Sequence, residues 1–378
     1  MKKLQIISIL LIFGLLSTTT FISCKKDNVE TAESNNESNN NNNNTTTECF
    51  DIVDLTTYLD NLQTINFINE TEGWIVGINS DDVNKSTLVH TTDGGLTWSV
   101  MNTDLDIHHA GSVSAPYIQF YNSTDGYMIG KYDVALGGNK LKYTTNKGQT
   151  WTVINGSAIG TWDVVAVNST NAVYIGHNVY GHNNNSVLYQ ISNSSHEITK
   201  TVDLPSSLDF YAKVDMELSE DGTINVPVSR VNINSSLYMA RSVDYGTTWT
   251  YNEIELDAIY NIDFPSDNTG YVIGDIGLNP TFYKTIDGGI TWTKKSLPIS
   301  FVHHDFFDAE NGLGINQDQI YKTTDGGETW TEVTCFSGSE HEPTRGVAFV
   351  SPYKWFAIGT RYVSTENKSY SEFYISKE

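Results

Sequence analysis

Three aspartates, Asp215, Asp263 and Asp305, fall in matching strand-like phrases of successive units, and His303 and His304 directly precede the third. Carboxylates held close together push their pKa values apart, so that one stays protonated while another ionises; such a group binds a cation or activates water. Asn66 and Gln119 occupy the matching place in other units. A row of polar residues along inner strands serves equally well to bond neighbouring backbone or channel water, and that simpler reading is preferred. Arg345, close to His341, is the best single candidate to anchor an anionic ligand, although a structural ion pair with a neighbouring carboxylate is the preferred reading. Trp162 lies outside the repeated tryptophans, where an exposed ring would stack on a sugar; Tyr132, Tyr180 and Tyr211 suit a glycan or a protein partner. No metal and no cofactor are expected. The two His-His pairs lack helical i, i+4 spacing or cysteine partners, and no Asp-x-Asp-x-Asp loop is present.

The elements that must position these residues are written in an eight-residue phrase, Ser/Thr-x-Asp-x-Gly-x-Thr-Trp. It begins at residues 91, 144, 242, 285 and 323, with Asn146 replacing the aspartate in the second copy. The other structural residues are Asp93, Gly95, Trp98, Gly148, Trp151, Asp244, Gly246, Trp249, Asp287, Gly289, Trp292, Asp325, Gly327 and Trp330. The hydroxyl and the carboxylate build a turn, glycine takes a positive φ, and the tryptophan opens the next strand and pins the turn. Each carboxylate is therefore occupied by its own turn and is no candidate for catalysis.

The box starts are separated by 53, 98, 43 and 38 residues, so the second gap hides a degenerate copy. It is visible from Tyr189 to Glu197, which keeps a strand and a polar turn but lacks the glycine and the tryptophan. A second phrase precedes each box, as in Ile65-Asn66-Phe67 followed by Gly73-Trp74-Ile75-Val76-Gly77, and supplies two inner strands. A final strand pair at Val347 to Gly359 completes seven units. The expected fold is all-β, a single seven-bladed propeller of four-stranded antiparallel blades. Cys49 to Leu55 should complete the last blade and remove an open edge. Cys49 and Cys335 then lie near that closure, where a disulfide in an oxidising compartment and two free thiols are both compatible with the sequence.

Lys2-Lys3, the apolar run from Leu4 to Leu16 and Phe21-Ile22-Ser23-Cys24 resemble a bacterial lipoprotein signal peptide, with cleavage before a lipidated Cys24. The expected domains are a signal peptide at 1–23, an Asn-rich disordered tether at 24–47 and the propeller at 48–378. That places the chain in the cell envelope, at the outer membrane of a Gram-negative bacterium. Net charge is −23, and −25 once Lys2 and Lys3 leave with the signal. Nucleic acid is thereby excluded as a partner, since a phosphate backbone needs a basic footprint.

The boxes and the Gly-Trp/Tyr-x-x-Gly phrase resemble the bacterial neuraminidase repeat superfamily, and within it the photosystem II stability and assembly factor-like proteins. The resemblance covers about residues 49–378 and implies a non-enzymatic binding platform. The photosynthetic members carry an arginine-rich patch, whereas this chain has only Arg230, Arg241, Arg345 and Arg361. The sialidases of the superfamily share an Arg-Ile-Pro phrase that does not occur here, and the xyloglucan-type enzymes pair two propellers. The expectation is a monomeric, lipid-anchored module that binds an envelope protein or a glycan without catalysis, with a glycoside hydrolase as the alternative. Its binding surface should be the face of loops joining second to third and fourth to first strands, opposite the boxes.

Overall fold

The computed structural model describes residues 45–46, 49–79, 82–105, 118–133, 138–155, 164–177, 186–204, 208–210, 216–230, 237–277, 279–301, 303–316, 319–334 and 341–377. They form seven antiparallel sheets and, among the described residues, no α-helix. Each sheet is a blade, and the protein is a seven-bladed propeller. The first strands, in blade order, include Asn61–Phe67, Ile118–Phe120, Val164–Val167, Glu217–Leu218, Ala258–Asp263, His303–Phe306 and His341–Ser351. Second strands are the apolar centres of the blades: Trp74, Ile75 and Val76 are all buried, as are Tyr271, Val272 and Ile273. Such unbroken apolar runs arise where a strand is covered on both faces, here by the two adjacent blades.

The first and last strands of the propeller meet as expected. Phe50–Asp54 pairs antiparallel with Lys368–Ser376, from Phe50 opposite Ser376 to Asp54 opposite Glu372. The pairing extends outward through Lys377 N–H to the Cys49 carbonyl at 2.9 Å and inward through Leu55 N–H to the Ser371 carbonyl at 2.8 Å. Phe50 meets Trp355 edge-on at 5.1 Å, so the closing strand also enters the core. Cys49 is disulfide-bonded. Cys335 and Cys24 both lie outside the described residues; Val333, two positions before Cys335, packs against the same apolar cluster as Cys49.

The boxes are closed hydrogen-bonded turns. Asp93 Oδ1 accepts from the Thr91 hydroxyl at 2.8 Å and the Thr97 N–H at 2.9 Å, while Oδ2 accepts from the Thr97 hydroxyl at 2.6 Å. Thr91 Oγ1 in turn accepts from Gly95 N–H at 2.9 Å. Asn146 reproduces the set with its amide, Nδ2 donating to the Thr150 hydroxyl at 2.8 Å. Gly95 has φ 88°, and a Cβ there would overlap the Phe373 ring of blade 7. Similarly, Gly148 abuts Leu88 of blade 1 and Gly246 abuts Leu188 of blade 3. Each box thus seats its turn on the preceding blade.

The degenerate third copy shifts this register by one: Ile191, opposite Ala172, stands where Thr91 stands opposite Gly73, the Ser192–Ser194 hydrogen bond at 2.9 Å falls one position later, and His196 takes φ 55°. Thr199 stands where tryptophan stands elsewhere. Blade 4 departs from expectation: its first strand is interrupted, with Leu208–Phe210 and Glu217–Leu218 both pairing with Ile224–Arg230. Leu218 opposite Ile224 corresponds to Phe120 opposite Gly126, so the residue matching Gln119 is Glu217, not Asp215. Asp215 itself lies outside the described residues.

Because an amide can replace the carboxylate, Asp93→Asn should cost less than about 1 kcal/mol, whereas Asp93→Ala, which strands the Thr91 and Thr97 donors, should cost about 2–3 kcal/mol. Denaturant melts of the two variants beside the parent protein measure the difference.

Candidate binding surface

The polar residues of the first strands bind one blade to the next. Asn66 Oδ1 accepts the Phe120 N–H of blade 2 at 2.9 Å. Asp263 Oδ2 accepts the Phe306 N–H of blade 6, and Asp305 Oδ2 accepts the Phe349 N–H of blade 7 at 2.7 Å. Asn261, two residues before Asp263, adds a bond from the His304 N–H at 3.0 Å. The strand registers place Asn66, Gln119, Ala166, Glu217, Asp263, Asp305 and Ala348 at one level around the first strands. Asp263 and Asp305 are therefore brought into one arc, in which each places one oxygen on a neighbouring blade's backbone.

His303 and His304 join this arc with different roles. His304 is buried, edge-on to Phe282 at 5.8 Å and to Phe306 at 5.9 Å. Burial holds it neutral, far below the usual histidine range, and the neighbouring His303 adds to the shift. His303 is pushed down to about 4 by burial. Asp305 moves the opposite way: burial raises its carboxyl to about 6, only partly countered by the Phe349 N–H. Among the described residues no group of three or more His, Cys, Asp or Glu side chains could hold a metal ion.

A charged cluster that the sequence does not advertise lies in blade 7. Glu372, 3% exposed, accepts from His341 Nδ1 at 2.6 Å, Arg361 Nε at 2.8 Å and the Tyr374 hydroxyl at 2.9 Å. Burial raises its pKa, but the bonds from His341 and Arg361 outweigh that and hold it below the ordinary glutamate value. Arg361 faces His341 across the first two strands, and its guanidinium lies 4.6 Å from the Tyr370 ring, with the side chain 30% exposed. Lys368 Nζ is 4.5 Å from that ring, and Tyr362 nearby is half exposed. These residues flank the turn between the second and third strands, on the face opposite the boxes.

Arg345 lies on the first strand of blade 7, four residues beyond His341, but its side chain is outside the described residues. Trp162 is likewise outside them, as are most of the long loops on that face. The pair observed on Glu372 is His341 and Arg361, which the sequence reading did not single out. Glu217 could have been found by counting back from the Ser219 to Thr223 turn. Arg361 and Glu372 are eleven residues apart on different strands, and nothing local links them.

The model of the family described as photosynthesis system II assembly factor YCF48 matches residues 42–196 and 242–343. The stretch it passes over contains the interrupted first strand of blade 4. A solved structure of YCF48 bound to D1 peptide is similar at 17% identity and TM-score 0.56, covering 89% of this chain and 97% of that one. YCF48 from Cyanidioschyzon merolae aligns at 14% identity and TM-score 0.51, over 83% and 94% of the two chains. The GH74 xyloglucanase from Xanthomonas campestris shares the fold at 8% identity and TM-score 0.51, with 74% of this chain covering 50% of the enzyme. Among curated proteins, none matches the sequence.

The Asp305 carboxyl has a folded pKa above its unfolded value, so its contribution is fully present below about pH 4 and is lost as pH rises through about 6. Asp305→Asn keeps an acceptor for the Phe349 N–H, as Asn66 does for Phe120, and removes the half-buried charge. The variant should be more stable than its parent at pH 8, by no more than about 3 kcal/mol, with the gain gone near pH 4. Melts across that range check both the sign and the window.

Proposed function

Because this chain belongs to the family of the photosynthesis system II assembly factor YCF48, we propose that it is a non-catalytic binding and assembly module, lipid-anchored through Cys24 in the cell envelope and monomeric. Its partner is a protein segment presenting a carboxylate to the loop face of blade 7. The observation that carries this reading is Arg361, partly exposed over Tyr370 and fixed by the buried Glu372. A guanidinium held in this way is preorganised, so little side-chain freedom is lost when a carboxylate binds, and the flanking tyrosine adds apolar area. Lys368 supplies a further cation at the same turn. The YCF48 solved with a D1 peptide supports a peptide-binding use of such a propeller. Against hydrolysis stands the inner arc, whose Asp263 and Asp305 each hold a backbone N–H of the next blade.

Photo-cross-linking from Tyr362 in intact cells should capture one dominant envelope protein, and Arg361→Lys should reduce that capture at least tenfold without a large change in melting. Capture unaffected by Arg361→Lys would remove blade 7 as the site. In parallel, chromogenic glycosides should turn over at the buffer rate; turnover abolished by Asp305→Asn would make the protein a glycosidase instead. Metabolic labelling with a palmitate analogue should mark the parent chain and fail on Cys24→Ala.

A further inference from the structure

The box face carries a cavity of about 540 Å³ between blades 2 and 3, lined by Tyr121, Asn122, Asp125, Ser169 to Asn171 and Ser192 to Ser194. It lies where the third box has lost its aspartate, glycine and tryptophan. In the adjoining junction the matching space is clamped. Glu72, which closes the first turn of blade 1 as Asp125 does in blade 2, reaches across to the Ser123 hydroxyl at 2.7 Å and Lys147 at 3.5 Å. Ser169 and Glu220 clamp blades 3 and 4 in the same manner. Among the described residues Asp125 makes no hydrogen bond to blade 3, although its charge acts on His196 there. Its oxygens accept from its own turn, Asn122 Nδ2 at 3.0 Å and the Thr124 hydroxyl at 3.0 Å.

The lining is therefore preorganised but not saturated. Each Asp125 oxygen keeps an accepting lone pair, and the Asn122 amide keeps one donor. On the facing wall Ser192 and Ser194 bond to each other at 2.9 Å and have one hydroxyl proton between them to give outward. The floor is rigid: Asn193 is buried, donating to the Asn168 carbonyl at 2.8 Å and accepting from the Tyr127 hydroxyl at 3.0 Å. Tyr121, stacked on Tyr127 at 5.8 Å, supplies an aromatic surface. No lysine or arginine lines the cavity, which argues against an anionic ligand, and a single carboxylate is a poor metal site. Paired acceptors, scattered donors and one ring are the complement of a neutral sugar, whose vicinal hydroxyls both give and accept hydrogen bonds while its C–H face packs on an aromatic.

We propose that this cavity between blades 2 and 3 is a binding site for a neutral saccharide, with Asp125 accepting from a hydroxyl pair and Tyr121 packing on the ring. It is separate from the protein-binding face proposed above and stands or falls independently of it. The test titrates cellotriose, mannotriose, xylotriose and galactotriose into the full chain held in a sugar-free zwitterionic detergent, read by calorimetry and saturation-transfer NMR. At least one should bind saturably, and Asp125→Ala and Tyr121→Ala should each weaken it tenfold or more, while Arg361→Lys leaves it unchanged. Ser194→Leu, which fills the cavity from an exposed turn position, serves if either of the first two fails to fold, and should abolish binding. No saturable binding to any of the four sugars, or binding that Asp125→Ala or Ser194→Leu leaves intact, overturns the site.

Discussion

A glycine at positive φ inside a hydrogen-bonded turn allows each of the five box-bearing blades to sit against the one before it, and the remainder of the molecule follows from that contact. At Gly95 the turn presses on the Phe373 ring so closely that no side chain fits between them. The carboxylate clasp of Asp93 exists to hold the turn in that shape, and Trp98 then packs edge-on to Phe373 at 5.1 Å and fills the wedge beside it. Repetition of this seating sets the angle between blades. With the angle set, the first strands converge closely enough for a side chain of one to reach the backbone of the next, as Asn66 and Asp305 do.

The convergence has an electrostatic consequence. Side chains at the inner level lose water, so the Asp305 carboxyl is pushed up and His303 and His304 are pushed down. Asp305 and His304 consequently respond to acid in opposite senses. Lowering the pH relieves a half-buried carboxylate at Asp305 and forces a proton toward a buried imidazole at His304, whose folded pKa lies below its unfolded one. Blade 1 achieves the same backbone bond with neutral Asn66, so the charge at Asp305 is not required by the staple.

Much of this architecture can be read from the sequence because the box is local: its hydroxyl, carboxylate, glycine and tryptophan lie within eight residues and interact mainly with one another. The closing strand at Phe50–Asp54 was legible for a similar reason, as an unpaired strand at one end answered a missing one at the other. Asp215 shows where the reading fails. The strand phrase of blade 4 is interrupted, and its register is decided by the Ser219 to Thr223 turn, which places Glu217 at the level that a three-residue pattern match gives to Asp215. The Arg361 and Glu372 pair was invisible because only the third-strand pairing of blade 7 brings the two together.

The two faces differ in the charge they can receive. With a net charge of −23, the molecule as a whole repels anions, but that repulsion is screened beyond roughly 8 Å at physiological salt. An acidic segment therefore needs a contact-range cation, and in blade 7 Arg361 and Lys368 flank one tyrosine ring. The cavity between blades 2 and 3 offers the reverse, one carboxylate and no cation. Its origin explains its character. In the third copy the backbone closes the turn by itself, His196 N–H donating to the Ser192 carbonyl at 2.8 Å, and the His196 ring stacks on Tyr143 at 4.0 Å. The blade stayed seated, but without the cross-junction clamp that Glu72 provides next door, the polar side chains of the turns were left facing open space with hydrogen-bonding capacity unused.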